Sequence, residues 1–263
     1  MINFCSLYSG SSGNSLFLRA DDTKILIDAG MSLKKITEGL CSINISIEEL
    51  DAILITHEHI DHVRGLNAIC KKYDIPIYAN HKTWSALPID KQYITKTNKK
   101  VFITNQKFRI NDIEVLPFNI PHDAIDPCGF NIFNNNSKIS IATDLGYVDD
   151  TIITYLKNSS FIMLESNYDP NILQYSSYPY KLKQRIVGPN GHLSNSNAGN
   201  AICSLIPSGL KSVILGHLSK ENNFPELAIE TICEELVKNN FETKCIDLCV
   251  ANRYEPSKMI SIQ

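Results

Sequence analysis

Apolar residues along this chain fall into short runs separated by polar or small residues. The runs predict strands at 3–8, 15–19, 24–28 and 51–56, and later at 110–119, 161–164 and 212–215. Helical spacing of apolar positions predicts helices near 33–40, 63–73, 149–157, 195–205 and 225–237. The segment 244–250 would add a closing strand. Strands grouped together with helices between them predict an α+β fold in which two sheets pack face to face and helices lie outside.

The composition narrows the class of protein. A chain of 263 residues with 43% hydrophobic and 20% charged residues is typical of a soluble enzyme. It has no Pro/Gly-rich linker, so we expect one domain over residues 1–263. The formal net charge of −3 gives no general attraction to nucleic acid, so a polyanion would need a local patch.

Sequence features also predict a location in the cytoplasm. The longest apolar runs are strand-sized, so we expect no membrane span, and the first residues do not resemble a signal peptide. The eight cysteines include no Cys-x-x-Cys pair, and most stand among aliphatic residues. Free buried thiols are therefore expected rather than disulfides or a Cys₄ zinc site.

The richest chemistry lies in His57-Glu58-His59-Ile60-Asp61-His62, which directly follows an apolar strand. Three imidazoles and a carboxylate at this spacing can serve two neighbouring metal ions. These ligands suit Zn, Mn or Fe better than Ca or Mg, and they do not choose among the first three. The rigid edge of a sheet is a good base for such a cluster.

Two ions need about seven or eight protein ligands, with room for water. His122, Asp144 and His217 each closely follow a further apolar strand, as His57 does. Taken alone, each of these histidines is typical of surface or core histidines. Together with the hexapeptide, they predict ligands that converge on one edge of a sheet.

These residues resemble the signature of the metallo-β-lactamase superfamily, His-x-His-x-Asp-His with an earlier Asp and a later His, Asp and His. The matching positions are Asp28, His57, His59, Asp61, His62, His122, Asp144 and His217. The resemblance implies an αββα four-layer sandwich with two divalent ions. One ion would be held by His57, His59 and His122, and the other by Asp61, His62 and His217. Asp144 would bridge them, and Asp28 would orient the ligand loop without binding metal.

Two further segments resemble the phosphodiesterase branch of that superfamily. Gly191-His192-Leu193-Ser194 precedes a predicted helix, and Glu165 follows the strand 161–164. Cleavage of a phosphodiester needs an activated hydroxide and protonation of the leaving oxygen. His192, oriented by Glu165, is the candidate general acid, because an imidazole titrates near neutral pH. The alternative is a structural role, in which these polar residues only surround a helix cap at Ser194.

Five further residues are candidate contacts for the substrate. Ser11, Ser12 and Asn14 lie in a Gly/Ser turn between two strands, which serves first as a turn and could also face the metals. Lys220 and Asn222 follow His217 and could bind phosphate or cap the helix near Pro225. The basic run Lys181 to Arg185 lies shortly before His192, and a solvated helix face is an equally good interpretation.

The spacings favour one compact branch. Only 73 positions separate Asp144 from His217, and 22 separate His122 from Asp144, so neither the domain inserted in RNase J-like nucleases nor the tRNase Z arm fits. The chain resembles the YycJ/WalJ-like exonuclease family in its opening segment 4–14, in Thr56–His62, in Ala142-Thr-Asp-Leu-Gly146 and in His217–Asn223. That resemblance implies a metal-dependent 5′→3′ exonuclease whose substrate is DNA.

Three alternatives remain. A thioester hydrolase of the glyoxalase II type uses the same metal ligands, although its helical C-terminal domain finds little room after His217. A non-catalytic metal-binding module would not need His192 and Glu165. A true β-lactamase would need a signal peptide. The sequence does not reveal the oligomeric state.

Overall fold

The structure, a computed structural model, describes residues 1–262. Its strands are β1 (Ile2–Tyr8), β2 (Ser15–Ala20), β3 (Thr23–Ile27), β4 (Ala52–Leu54), β5 (Ile77–Asn80), β6 (Lys99–Phe102), β7 (Phe108–Ile110), β8 (Ile113–Asn119), β9 (Cys128–Asn134), β10 (Ser137–Ala142), β11 (Phe161–Glu165), β12 (Ser212–Gly216), β13 (Asp247–Val250) and β14 (Ile260–Ile262).

The helices lie after β3, β4, β5, β10, β11 and β12. They are α1 (Leu33–Ser42), α2 (Ile60–Val63), α3 (Leu66–Lys72), α4 (His81–Ala86), α5 (Asp150–Leu156), α6 (Pro170–Tyr175), α7 (Tyr180–Val187), α8 (Asn195–Leu205) and α9 (Pro225–Lys238). Short 3₁₀ turns occur at Ile47–Glu49, Lys91–Tyr93, Ile206–Ser208 and Thr243–Cys245. Across residues 1–262, none of the helices is long and apolar enough to cross a membrane.

The chain divides into two compact units. Unit 1 comprises residues 1–119, 124–137 and 251–262. Unit 2 comprises residues 120–123 and 138–250. The expectation of a single domain over the whole chain stays a prediction.

Unit 1 contains a mixed sheet in the order β14-β1-β2-β3-β4-β5-β6. Neighbours are antiparallel from β14 to β3 and parallel from β3 to β6. β7, β8 and β9 pair antiparallel with one another in the same unit. Ile36 of α1 and Ile69 of α3 belong to one buried core with Leu26 and Ile53 of the sheet. β3 and β4 are parallel neighbours, and their last residues, Ile27 and Leu54, pair with each other shortly before the hexapeptide begins.

Unit 2 contains the parallel strands β10, β11, β12 and β13 in that order. β10, β11 and β12 are largely buried, which agrees with their runs of aliphatic residues, whereas β13 at the edge alternates between exposed and half-buried positions. Helix α8 packs against α5 and α9. Because parallel strands end at the same edge of a sheet, residues that follow β10, β11 and β12 lie close together.

One predicted helix differs from the structure. The pattern over 63–73 predicts a continuous helix, but the chain forms α2 and α3 with a break at Gly65. A Cβ at Gly65 would lie 2.3 Å from the carbonyl oxygen of Met31, so the backbone passes too close there for any side chain. The amide of Gly65 also donates to the carbonyl of Ala29 at 2.8 Å. The tight packing of the ligand loop, which periodicity does not reveal, therefore interrupts the helix.

Candidate metal centre

Four donor side chains of unit 1 converge just beyond β4. We call His57, His59, Asp61 and His62 the first ligand cluster. His57 and His62 are fully buried, whereas His59 and Asp61 are half-buried. The ring centroid of His57 lies 4.1 Å from that of His62 and 4.6 Å from that of His59. Nε2 of His62 lies 3.8 Å from a carboxylate oxygen of Asp61. Glu58 turns elsewhere, since its carboxylate accepts from the amide of Ile125 at 2.9 Å.

Asp28 is hydrogen-bonded to Thr56 and to His62 of the first ligand cluster. It follows β3 with φ of 60°, a left-handed conformation that non-glycine residues adopt uncommonly. One carboxylate oxygen accepts from the amide of Thr56 at 2.9 Å, and the other lies 2.8 Å from both Oγ1 of Thr56 and Nδ1 of His62. A carboxylate that bonds one imidazole nitrogen fixes the ring and directs the other nitrogen toward a metal. The predicted orienting role agrees with this placement and stays a prediction.

The ligand loop is also tied down by the backbone after β3. The amide of Ala29 donates to the carbonyl of His62 at 2.7 Å, and the amide of Asn14 donates to that of Asp61 at 2.8 Å. A Cβ at Gly30 would lie 1.7 Å from the carbonyl oxygen of Asp61 and 2.6 Å from the amide nitrogen of Asn14. Only glycine therefore allows the three segments to meet.

We expect Gly30→Ala to destabilise unit 1 and to weaken metal binding. The added methyl group must displace backbone on two sides, and overpacking of this kind costs about 1–3 kcal/mol. Thermal unfolding and metal content of the purified variant measure the two effects. Gly188→Ala is the control, because the nearest atom to its Cβ would lie at 3.1 Å. Equal stability of the two variants would contradict the conclusion that position 30 requires glycine.

Five side chains of unit 2 form the second ligand cluster: His122, Asp144, Glu165, His192 and His217. Ligand atoms of the last four all lie within 4.8 Å of one another. Nδ1 of His217 lies 3.2 Å from a carboxylate oxygen of Asp144, and Nε2 of His122 lies 3.8 Å from the same oxygen. Asp144 and His217 follow β10 and β12 with φ of 63° and 54°, so both bend sharply at the strand ends. The expected meeting at the sheet edge is therefore found in this unit.

Glu165 is the hub of the second ligand cluster. Its Oε1 lies 2.8 Å from Nδ1 of both His192 and His217, and its Oε2 accepts from the amides of Leu145 and Leu193. Burial raises the pKa of Glu165, but the charge of His192 and the hydrogen bonds of the two histidines outweigh burial and leave the pKa below its ordinary value. The fully buried carboxylate is thus held in its charged form. Its bond to His192 agrees with the predicted pair, and its bond to His217 is an addition.

His122 is anchored by the loop that carries His192. Its Nδ1 lies 3.1 Å from the carbonyl oxygen of Gly191, which fixes the tautomer with a proton on Nδ1. Burial lowers the pKa of His122, although the carboxylate of Asp144 partly offsets that effect. A neutral imidazole with one nitrogen fixed is the form that binds a metal ion.

The predicted substrate contacts lie in different surroundings. Asn14 is buried, with Nδ2 3.0 Å from Nε2 of His62, whereas Ser11 is exposed and accepts from Arg253. The backbone carbonyl of Ser12 accepts from Arg64 at 3.1 Å. Lys220 is exposed. Asn222 is fully buried, and its side chain and carbonyl brace Ser219 and Asp169. A contact with substrate stays a prediction for all five residues, and the burial of Asn222 favours a bracing role.

Two residues that support the clusters were not among the predicted site residues. Oγ1 of Thr56 lies 3.0 Å from Nδ1 of His57 and 2.8 Å from Asp28, so one hydroxyl links two elements of the first ligand cluster. Nδ2 of Asn167 donates to the carbonyl of His217 at 2.7 Å. The available signal was position, because Thr56 directly precedes the hexapeptide and Asn167 closely follows Glu165.

The donor sets fit divalent metal ions. The two clusters contain six of the seven histidines of the chain, and carboxylates stand beside imidazoles in each. Donors of this kind, buried and oriented by a second carboxylate, suit Zn, Mn and Fe. The remaining histidine, His81, is exposed on α4.

Comparison with known proteins identifies the family. The profile of the β-lactamase superfamily domain matches residues 23–217, which include both ligand clusters. The chain belongs to the metallo-β-lactamase superfamily. The matched range contains every residue of this chain that we predict to bind metal.

Individual relatives define the branch within the metallo-β-lactamase superfamily. The chain is 41% identical to exodeoxyribonuclease WalJ of Streptococcus pneumoniae over 234 residues, which are 88% of this chain and 87% of that protein. It is 38% identical to exodeoxyribonuclease YycJ of Bacillus anthracis over 91% of each chain. The solved structure of YhfI from Bacillus subtilis aligns with a TM-score of 0.72 at 15% identity, covering 97% of this chain and 98% of that one. The predicted YycJ/WalJ-like membership and the α+β, αββα fold class are confirmed.

Proposed function

We propose that the protein is a metal-dependent nuclease that digests DNA from the 5′ end. The observation that carries the proposal is the second ligand cluster, in which His192 stands among metal-type donors with Nδ1 held by Glu165. The names of the WalJ and YycJ relatives support exodeoxyribonuclease activity and do not favour the thioester hydrolase. The direction of digestion, the choice of DNA over RNA and a cytoplasmic location are part of the proposal.

We assign the ligands of two divalent ions, Zn or Mn and alternatively Fe, as the superfamily signature implies. His57, His59 and His122 would hold one ion, Asp61, His62 and His217 the other, and Asp144 would bridge. Support comes from the donor chemistry within each unit and from the family match, which spans both sets of residues. Asp28 would orient His62, and Glu165 would orient His217, each through Nδ1.

Residues of the chain would position the attacking water, donate a proton to the leaving oxygen and contact the substrate. When bound, the ions supply Lewis acidity to the phosphate oxygens and lower the pKa of water to about 7. Asp61 positions the attacking water through its carboxylate. His192, with Nδ1 bonded to Glu165, donates the proton on Nε2 to the leaving oxygen. Glu165 stabilises the protonated imidazole before transfer, because its buried carboxylate is charged. Ser11, Ser12, Asn14 and Lys220 would contact the substrate, and Asn222 would brace the loop that carries Lys220.

The proposal predicts that a chelator abolishes digestion of DNA and that Mn²⁺ or Zn²⁺ restores it. Single- and double-stranded oligonucleotides with a label at either end are incubated with metal-loaded protein, and product lengths are measured. We expect a 3′-labelled strand to shorten progressively and a 5′-labelled strand to release its label first. S-lactoylglutathione is the parallel substrate. Its turnover without cleavage of DNA would overturn the nuclease in favour of the thioester hydrolase.

A further inference from the structure

A pocket in unit 2 stands beside the segment that carries His192. It has a volume of about 490 Å³ and lies between α6 and α7, with Tyr168, Tyr178 and Tyr180 in its lining. That volume falls within the range of about 300–1,000 Å³ for small-molecule sites. Tyr168 and Leu173 are buried and form a floor, and Tyr180 is 74% exposed at the rim. The pocket is thus lined by aromatic rings and open to a ligand.

Backbone hydrogen bonds join both sides of this pocket to the His192 segment. The carbonyl of Tyr168 accepts from the amide of Asn195 at 3.0 Å, and Tyr168 forms a parallel bridge with Ser194. On the other side, the amide of His192 donates to the carbonyl of Ile186 in α7 at 2.9 Å. Tyr168 and α7, which line the pocket, are therefore hydrogen-bonded to the loop that places His192.

The walls of the pocket are fixed before any ligand binds. Lys183 of α7 donates from Nζ to the carbonyls of Gln174 and Ser176, both at 2.7 Å, and so ties the end of α6 to α7. Arg185 of α7 is paired with Asp123, the residue that follows His122. The rings therefore stand on a braced helix pair, which reduces the entropy lost on binding.

The charge of this segment selects the kind of ligand. Residues 170–187 contain Lys181, Lys183 and Arg185 and no carboxylate, although the whole chain has a net charge of −3. Lys181 is exposed beside Tyr180. The exposed amides of Gln174 and Gln184 add donors and acceptors to the lining. Aromatic rings beside cations are the features with which proteins bind the bases and phosphates of single strands.

We propose that this pocket binds a base of the DNA strand by stacking on Tyr180, with Lys181 facing the adjoining phosphate. The inference rests on the proposed nuclease function and adds to it a base-binding subsite outside the two ligand clusters. It makes Tyr180 a positioning residue that sets the strand relative to His192.

The test measures binding and hydrolysis separately. Metal-loaded protein is titrated into fluorescent single strands with phosphorothioate linkages, which resist hydrolysis, and anisotropy gives the affinity. We expect Tyr180→Ala to bind about 5- to 30-fold more weakly, because it removes the stacking of one base. Tyr180→Phe, which keeps the ring, should bind like the wild type. Tyr175→Ala is the matched control, since Tyr175 is 83% exposed on α6 outside the lining.

An abasic scan shows whether a base occupies the pocket. Strands that lack one base at successive positions from the 5′ end are compared on wild type and on Tyr180→Ala. We expect one position at which the missing base weakens binding to the wild type and has no effect on Tyr180→Ala. Equal sensitivity of both proteins at every position would overturn the inference.

The remaining outcomes separate this inference from the proposed function. If DNA is digested and Tyr180→Ala binds like Tyr175→Ala, the base pocket is wrong and the nuclease stands. If the wild type neither digests nor binds DNA, the proposed function fails and the pocket assignment fails with it. If Tyr180→Ala instead abolishes self-association in sedimentation and leaves DNA affinity unchanged, the occupant is a second copy of the chain and the inference is overturned.

Discussion

Asp144→Asn should abolish hydrolysis of DNA while the protein stays folded. Asp144 is buried, adopts φ of 63° and approaches both His122 and His217 within the second ligand cluster. Asparagine has the same shape and tolerates the left-handed conformation, so the backbone should be preserved. The variant loses the charge that we propose to bridge two cations. We expect the rate to fall by about 10³-fold or more, since metal ions supply several kcal/mol of transition-state stabilisation.

Metal analysis, thermal unfolding and the nuclease assay together measure this result. Asp150→Asn is the control, because Asp150 is an exposed carboxylate in the first turn of α5. It should keep wild-type metal content and rate. Full activity in Asp144→Asn, with wild-type metal content, would remove Asp144 from the centre.

His192→Ala should lower turnover without loss of metal. His192 is half-buried, and its Nδ1 is bonded to Glu165, so we place it as the proton donor rather than a metal ligand. Removal of a general acid typically costs about 10²–10⁴-fold. The loss should be large with DNA, whose leaving oxygen needs a proton, and small with a p-nitrophenyl phosphodiester, whose leaving group departs unprotonated.

The contrast between the two substrates distinguishes acid catalysis from a structural role. His81→Ala is the control, since His81 is the exposed histidine of α4. A loss of equal size on both substrates would assign His192 to metal binding or to packing. Metal content below that of the wild type would lead to the same reassignment.

Glu165 couples the proposed acid, His192, to the proposed metal ligand His217. One carboxylate oxygen lies 2.8 Å from Nδ1 of both His192 and His217, and the other accepts hydrogen bonds from two backbone amides. The same charge therefore orients a proposed ligand and the proposed acid. Replacing Glu165 should disturb both functions together, which is why His192→Ala is the cleaner test of proton donation.

Much of the site was predictable because it follows local rules. Asp144, Glu165 and His217 stand at or just beyond the ends of apolar strands, and parallel strands bring their ends to one edge. The hexapeptide was evident from its density of ligand types after a strand. The αββα fold followed from the motif resemblance more than from periodicity.

Other features depend on tertiary packing and left no periodic signal. The break at Gly65 results from close passage of the backbone at Met31. The bond of Glu165 to His217 depends on the registration of β11 beside β12, which pairs Glu165 with Gly216. The pocket between α6 and α7 is formed by two helices of six and eight residues, too short for a helical period to stand out. Asn222, a predicted substrate contact, is fully buried and hydrogen-bonded to Ser219 and Asp169.

Bound metal and DNA hydrolysis, measured in the same samples, test the proposed two-ion centre most directly. Metal-free protein is titrated with Mn²⁺ or Zn²⁺, and the rate is plotted against metal ions bound per chain. We predict that hydrolysis rises as the second ion binds and reaches its full rate at about two ions per chain. Full hydrolysis with one ion, or none with two, would contradict it.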